Sequence, residues 1–291
     1  MTRLASLPAL SALLLLLSSP AGQAQSSPGV ESKEHISRVC TLTADAGRST
    51  LALYNISGSV TVQGYTGSQV LVEATKTIRA ADAKTLETGK SEAQLGFTQH
   101  GDSVAVYLAA PFDSRPNHNN RRSDDHRSIA YDYDFDFVVK VPYQLNLHVS
   151  TVNRGAVRVQ DVTGTLSVTN VNGPIALSNV KGTTQAHTVN GDVDATYAAN
   201  PPGASSYYAL NGQIRVHYPA TLSADMYFKS MHGEFYTDFA DAQLLPAHAT
   251  KNEAGRGTVY QLTKERAVRI GSGGPALHFE TLNGDVTVSQ H

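Results

Sequence analysis

The sequence predicts an all-β fold, a single-stranded parallel β-solenoid (β-helix) with about 18–21 residues per coil, and three observations carry that expectation. A glycine recurs at fixed spacing, an apolar residue stands two before it, and further apolar residues stand two and four after it. The template Φ-x-G-x-Φ-x-Φ, with Φ apolar, is filled at residues 56–62, 162–168, 171–177, 189–195, 210–216 and 282–288. With 23 glycines and 41% hydrophobic residues, random placement gives about 1.6 such matches, so six copies mark a period. Gly155, Gly164, Gly173, Gly182 and Gly191 stand nine apart, and Gly191, Gly212 and Gly233 stand 21 apart.

The alternation after each glycine is that of a strand with one buried face. Asparagine before glycine is read as a positive-φ corner, which both residues tolerate. In an antiparallel meander the Asn-Gly pairs would be hairpin turns, and Val180 would point away from the face shared by Ile175 and Leu177. A coil that turns a corner between Leu177 and Val180 brings all three inside, which favours a solenoid over a sandwich or meander. Nine-residue spacing is also that of the calcium-binding β-roll. Here, however, Ala156, Thr165, Pro174, Thr183 and Asp192 follow the glycines, with no double glycine and no aspartate column to hold the ion.

In chain order, Arg3 followed by an apolar run over residues 7–17 and the small residues Gly22 and Ala24 reads as a secretory leader cleaved near Ala24. That run is too short to cross a bilayer as a helix. Residues 25–40 form a linker or first strand, and 41–291 the solenoid domain. Cys40 is the one cysteine; it is read as a buried inert thiol, which leaves no internal disulfide and no cysteine-based zinc site. Residues 41–112 read as further strands, with a short helix within 79–94 that Gly89 weakens.

Residues 113–128 are polar and read as a loop in which His118, Asp124, Asp125 and His126 are the candidates for a metal or anion site. In the following strand Tyr131, Tyr133, Phe135 and Phe137 fall on one face and are expected in the core. Asp132, Asp134 and Asp136 fall on the other, expected in solvent, with an acidic ladder for a cation as the alternative; the ring face has a sugar-binding ladder as its alternative. A second polar stretch, 240–257, loops out before the last coil. The open ends are to be covered by segments near 41–55 and 284–291, or by a second copy of the chain.

The formal charge of −2, or −3 once Arg3 leaves with the leader, gives no electrostatic footprint for nucleic acid and no polybasic membrane patch. No nucleotide, P-loop, zinc-protease or serine-hydrolase motif appears, and no cofactor is implied.

The stretches VSTVNRGAVRVQDVTGTLSVTNVNGPIALSNVKG and GGPALHFETLNGDVTV resemble a bacterial family of exported β-strand-repeat proteins labelled adhesins, and are similar to head-GIN domains. The resemblance covers most of the chain after the leader. It implies a β-solenoid, placement outside the cytoplasm in the periplasm, at the cell surface or in the medium, and no established catalytic residues. Arg154, inserted between Asn153 and Gly155, and the 113–128 loop depart from the regular repeat.

Two functions follow as expectations. The first is a non-catalytic binding or structural module of the cell envelope, whose long flat β-face meets an envelope protein, a glycan or a second copy. The second is a carbohydrate-active enzyme, a polysaccharide lyase or hydrolase, working on the outer face. Three residues after the glycines stand Arg158, Ala176, Asp194, Arg215 and Tyr236; five after stand Gln160, Ser178, Thr196, His217 and Asp238. Arg215, His217 and Asp238 are the candidate catalytic group, since such chemistry needs charged groups flanking one bond. His187 shares the five-after position but falls on the opposite side of the coil.

Overall fold

The computed structural model describes residues 29–43, 45–109, 111–116, 129–246, 249–254, 257–262 and 266–291. The leader expected over 1–24 and the candidates His118, Asp124, Asp125 and His126 lie outside them. The N-terminal part supplies β1 (Val30–Thr41), β2 (Thr50–Tyr54), β3 (Val60–Tyr65), β4 (Gln69–Ala80), α1 (Ala83–Glu92), β5 (Leu95–His100), β6 (Ser103–Leu108) and β7 (Tyr131–Pro142). The repeat region gives β8 (Asn146–Ser150), β9 (Val157–Gln160), β10 (Leu166–Thr169), β11 (Ile175–Val180), β12 (Thr184–Asn190), β13 (Val193–Tyr197), β14 (Ser205–Asn211), β15 (Ile214–Tyr218), β16 (Ala224–His232) and β17 (Phe235–Thr237). There follow β18 (Gln243–Leu244), the hairpin β19 (Ala249–Ala254) and β20 (Gly257–Leu262), β21 (Arg266–Ile270), β22 (Ala276–Asn283) and β23 (Val286–Gln290).

These strands make two large, mostly parallel sheets. Sheet I runs β1-β4-β7-β3-β9-β11-β13-β15-β23-β17, and sheet II runs β18-β21-β16-β22-β14-β12-β10-β8-β2-β6-β5. From β6 to β17 the chain alternates between them, and within the stack each strand lies parallel to its neighbours. Ile175 faces Val157 on one side and Val193 on the other, and Val193 in turn faces Ile214. These partners are separated by the repeat spacing itself, so the sequence period is the offset between paired strands. Ile175, Leu177, Val193, Ile214 and Val216 are buried, and so is Val180, the last residue of β11, which a register shift after Leu177 and a φ of 55 at Asn179 turn inward where a full corner was expected. Side chains from both sheets join one apolar cluster.

The glycines serve a purpose other than the one expected. Among the template glycines only Gly58 and Gly284 have positive φ. A Cβ on Gly173 would lie 2.1 Å from the carbonyl oxygen of Gly155, one on Gly191 2.4 Å from that of Gly173, and one on Gly212 2.0 Å from that of Gly191. Successive turns stack glycine on glycine because no side chain fits between them. The asparagines form a ladder over the same corner. Asn172 donates to Asn153, Asn190 to Asn172 and Asn211 to Asn190, each at 2.9 Å, and Asn283 donates to Asn211 at 2.7 Å.

The apolar residue two before the glycine is only half-buried at Ile56, Val171, Val189, Leu210 and Leu282. The inward position is one earlier, polar at Asn55, Asn170, Thr188 and Thr281 and an alanine at Ala209. Asn170 Nδ2 donates to Gly155 O at 3.0 Å, Thr188 Oγ1 to Gly173 O at 2.9 Å, and Thr151 Oγ1 to Gly58 O at 3.1 Å. These bonds give the corner carbonyls side-chain partners, and Gly58 O also accepts from Asn55 Nδ2 at 3.1 Å.

Spatial order departs from sequence order at both ends of the stack. The β2–β3 turn sits between the β6–β7 and β8–β9 turns, and the β22–β23 turn sits between β14–β15 and β16–β17. The segments near 41–55 and 284–291, expected to cover the ends, therefore lie inside the stack. Antiparallel strands cover the ends instead. At one end β4 and β1 extend sheet I and β5 extends sheet II; at the other, β21 and then β18 extend sheet II. A reversed strand pairs the exposed backbone without offering a parallel template for further stacking. The 240–257 stretch is part of this excursion, and its hairpin pairs only with itself.

The helix forms as the sequence predicts. Asp82 caps it by accepting the Thr85 N–H at 2.8 Å. Gly89 lets it close onto the sheet, since a Cβ there would lie 2.7 Å from Ile78 and 2.8 Å from Tyr131. Beneath it the buried Lys76 donates to Lys90 O at 2.8 Å and pairs with Glu34 at 3.3 Å. Where the turns lengthen after β13, Tyr197, Tyr207 and Tyr218 fill the wider interior. Their hydroxyls are joined: Tyr207 donates to Tyr197 at 2.5 Å and lies 2.9 Å from Tyr218. Burial pushes the Tyr197 phenol up to about 12.

Candidate functional site

The outer face of sheet I holds Arg215, His217 and Asp238, but not as one group. The strand order inserts β23 between β15 and β17. Arg215 thus faces Thr287, and Thr287 faces Tyr236. His217 faces Ser289, whose Oγ lies 2.7 Å from its Nδ1, while Asp238 accepts the Gln290 N–H at 2.8 Å. Arg215 Nε donates to Asp194 at 2.6 Å and Nη2 to Asp192 at 2.7 Å. The Asp194 and then the Asp192 carboxylate raise its pKa further. Arg215 is a tie between turns. His187, on β12, lies in the other sheet from His217 on β15, as expected.

The three aspartates of β7 are likewise engaged. Asp136 accepts the Ser59 N–H at 2.8 Å and its hydroxyl at 2.6 Å. Arg154 donates to Asp132. Asp134 is buried rather than solvated, because the 55–59 corner and Arg79 pack over it. It accepts from Ser57 Oγ at 2.6 Å and pairs with Arg79 at 2.6 Å. Burial alone would raise its pKa, but Ser57, Arg79 and Arg154 outweigh that and hold it below the usual carboxylate range. The ladder thus has arginine counter-ions from the chain itself. Arg154, the residue that interrupts the Asn-Gly pattern, adopts φ 60 and is one of them. On the opposite face Tyr131, Phe135 and Phe137 are buried as expected, and Tyr133 is half-buried.

The outer face of sheet II is different in kind. Over four adjacent strands (β12, β14, β22, β16) it carries His187, Tyr208, His278 and Tyr227. His187 pairs in register with Tyr208, their rings 4.3 Å apart, and His278 with Tyr227, 4.9 Å apart and near parallel. The pairs occupy two rows: Gln185 and Ser206 continue the His278–Tyr227 row, and Glu280 and Lys229, an ion pair at 2.5 Å, continue the His187–Tyr208 row. Farther along the face, Tyr54 lies 5.2 Å from His148, and Arg115 sits 4.0 Å over Tyr107.

This platform was readable in part. Counting five past Gly164, Gly182 and Gly203 gives Thr169, His187 and Tyr208, the actual column. Gly203 has no apolar template around it, so it stayed outside the period. His278 and Tyr227 could not be placed, because their adjacency depends on β22 lying beside β16.

No protein-family model matches the chain, and no curated protein matches it. Three solved structures are loosely similar. A "putative cell adhesion protein" from Clostridium sporogenes shares 9% identity over 89% of this chain and 100% of that one, with a TM-score of 0.40. A "putative adhesin" from Bacteroides fragilis shares 10% over 89% and 98%, with a TM-score of 0.35. A "putative lipid binding protein" from Parabacteroides distasonis shares 8% over 90% and 96%, with a TM-score of 0.29. Likeness at this level is too loose to transfer a role.

Proposed function

We propose that the protein is a non-catalytic, adhesin-like binding module of the cell envelope, built as a β-solenoid and acting outside the cytoplasm. The observation that carries this reading is the state of the charged groups on sheet I. Arg215, His217, Asp238 and the β7 aspartates are each held by neighbouring protein groups, and none faces another across a space where a bond could be broken. General acid–base chemistry needs two groups converging on one bond. Long sheet faces and a strand offset equal to the sequence period support a coil offering extended surfaces, and the motif resemblance supports the envelope.

The test is incubation of pure protein with a polysaccharide panel, reading new reducing ends or unsaturated products. No product is expected from any substrate. Turnover abolished by His217→Ala would overturn the reading in favour of a lyase or hydrolase. Cell fractionation checks the location, the expected outcome being a leader-cleaved chain outside the cytoplasm.

A further inference from the structure

We infer that the ring platform of sheet II is a binding site for a linear, uncharged polysaccharide laid across the strands. The inference rests on the binding role proposed above and adds its ligand. His187, Tyr208, His278 and Tyr227 come from four consecutive strands, one ring to each. Strand spacing of about 4.8 Å separates the rings within each pair. The pairs are offset by two residues along the strands, Tyr208 facing Glu280 and His278 facing Ser206, so a sugar chain meeting all four rings runs obliquely across the strands. The C–H faces of pyranoses are apolar and weakly positive, so they stack on aromatic rings whose faces are negative. Sugar hydroxyls then need donors and acceptors at the same level, which Gln185 and Ser206 supply beside the rings.

The chemistry of the margin narrows the ligand. The nearest charges are paired, Lys229 with Glu280 and Arg269 with Asp225, so the platform presents no net charge to draw an acidic polymer. An obligate protein partner would need apolar anchors filling pockets. The large aliphatic side chains exposed among the described residues are Val39, Ile129, Val138, Met231 and Leu244, and none of them shares the platform's rows. Among the described residues the outer face of sheet I carries no such set of rings in the matching column, which reads Val138, Thr61, Arg158, Ala176, Asp194, Arg215, Thr287 and Tyr236. Tyr236 stands there alone, bonded to Glu234 at 2.8 Å.

The test uses the purified chain in affinity electrophoresis and pull-down against neutral linear glycans (β-glucan, chitin, xylan and mannan), with polygalacturonate as the acidic comparison. Retention on at least one neutral glycan is expected, weakened about tenfold by Tyr208→Ala and again by Tyr227→Ala, and kept by Tyr208→Phe and by Tyr236→Ala. An unchanged thermal midpoint shows that the variants fold. Failure to bind any neutral glycan would overturn the proposal, as would retention that survives the double variant. Capture of an envelope protein that the double variant loses, without glycan retention, would reassign the face to a protein. New reducing ends would sink the non-catalytic role while leaving the platform standing if retention still depended on the rings.

Discussion

The corner that leads from sheet II into sheet I differs sharply from the one that leads back. On the way in, an apolar residue, asparagine and glycine recur at 171–173, 189–191, 210–212 and 282–284, and a Cβ on Gly173, Gly191 or Gly212 would lie only 2.0–2.4 Å from the turn before. On the way back, tight contact is confined to the earlier turns, where a Cβ on Gly164 would lie 2.3 Å from Leu145 O and one on Gly64 1.9 Å from Asp161 O. Gly182 stacks on Gly164 just as tightly, Asp161 and Asn179 both adopt φ near 60°, and the amide of Asn179 reaches Asp161 at 2.5 Å. Then residues 198–204 bring a longer, proline-bearing connection, and the offset rises from 18 to 21. One corner is fixed by backbone contact throughout, whereas the other gives up that contact after β13 and is free to take up length. This lets the interior change from aliphatic to tyrosine-filled without breaking the strand register.

The largest effect should come from forcing a side chain into the fixed corner. Gly212→Ala places a Cβ 2.0 Å from the Gly191 carbonyl oxygen, a contact that only a backbone shift relieves. It should cost about 3 kcal/mol or more. Gly203→Ala, in the lengthened return, meets nothing nearer than the Thr183 methyl at 3.0 Å and should cost under about 1 kcal/mol. Urea midpoints at constant slope measure both. Equal losses would break the contrast.

Acid is the next probe. Asp134 sits where the fixed corner meets β7, and its pKa is lowered in the fold. Its contribution is therefore present above the unfolded value of about 3.9 and is lost as pH falls through the folded one. Asp134→Asn should flatten the acid limb of the stability curve by about 1–2 kcal/mol, since both arginine partners are partly exposed and solvent screens them. Thermal midpoints from pH 6 down to pH 2.5 report it.

The same contrast explains what the sequence disclosed. Val180 is buried despite a parity opposite to that of Ile175 and Leu177, and the repeat period is the strand offset, because the fixed corner makes the same steric demand at every turn and one residue type meets it. The insertion of β22–β23 between earlier turns left no such mark. Its Leu282-Asn283-Gly284 copy fits any place in a uniform stack, so Thr287 and Ser289 intruded unannounced between Arg215 and Tyr236 and between His217 and Asp238. Asp134's partners were hidden for a related reason. Arg79 and Ser57 reach it from elements far away in sequence, and only Arg154 stood out, as an irregularity whose purpose the repeat could not supply.

The amide ladder gives a smaller test. Asn190 donates to Asn172 and accepts from Asn211, so Asn190→Ala leaves both neighbours short of a partner and should cost about 1 kcal/mol. Asn200 makes a single exposed bond to Thr221 O at 2.8 Å, and its loss should fall within about 0.5 kcal/mol. Double substitution of Asn190 and Asn211 separates a cooperative ladder from independent bonds, since neighbours in one network should not add.

The smallest expected effect bears most directly on why the turns differ in length. If the lengthened return is free, inserting Gly-Ser between Pro202 and Gly203 should change stability by no more than about 0.5 kcal/mol, because lengthening a loop costs only the logarithm of its length. The buried hydroxyls of Tyr197, Tyr207 and Tyr218 should also keep their bonds, because the rings are placed by β13, β14 and β15 on either side of the insertion. Near-ultraviolet circular dichroism of the tyrosines reads this apart from the urea midpoint. A changed tyrosine signal at unchanged stability would mean that the 198–204 connection helps to place the rings. The longer turn would then be a requirement of the tyrosine interior, not slack that the free corner takes up.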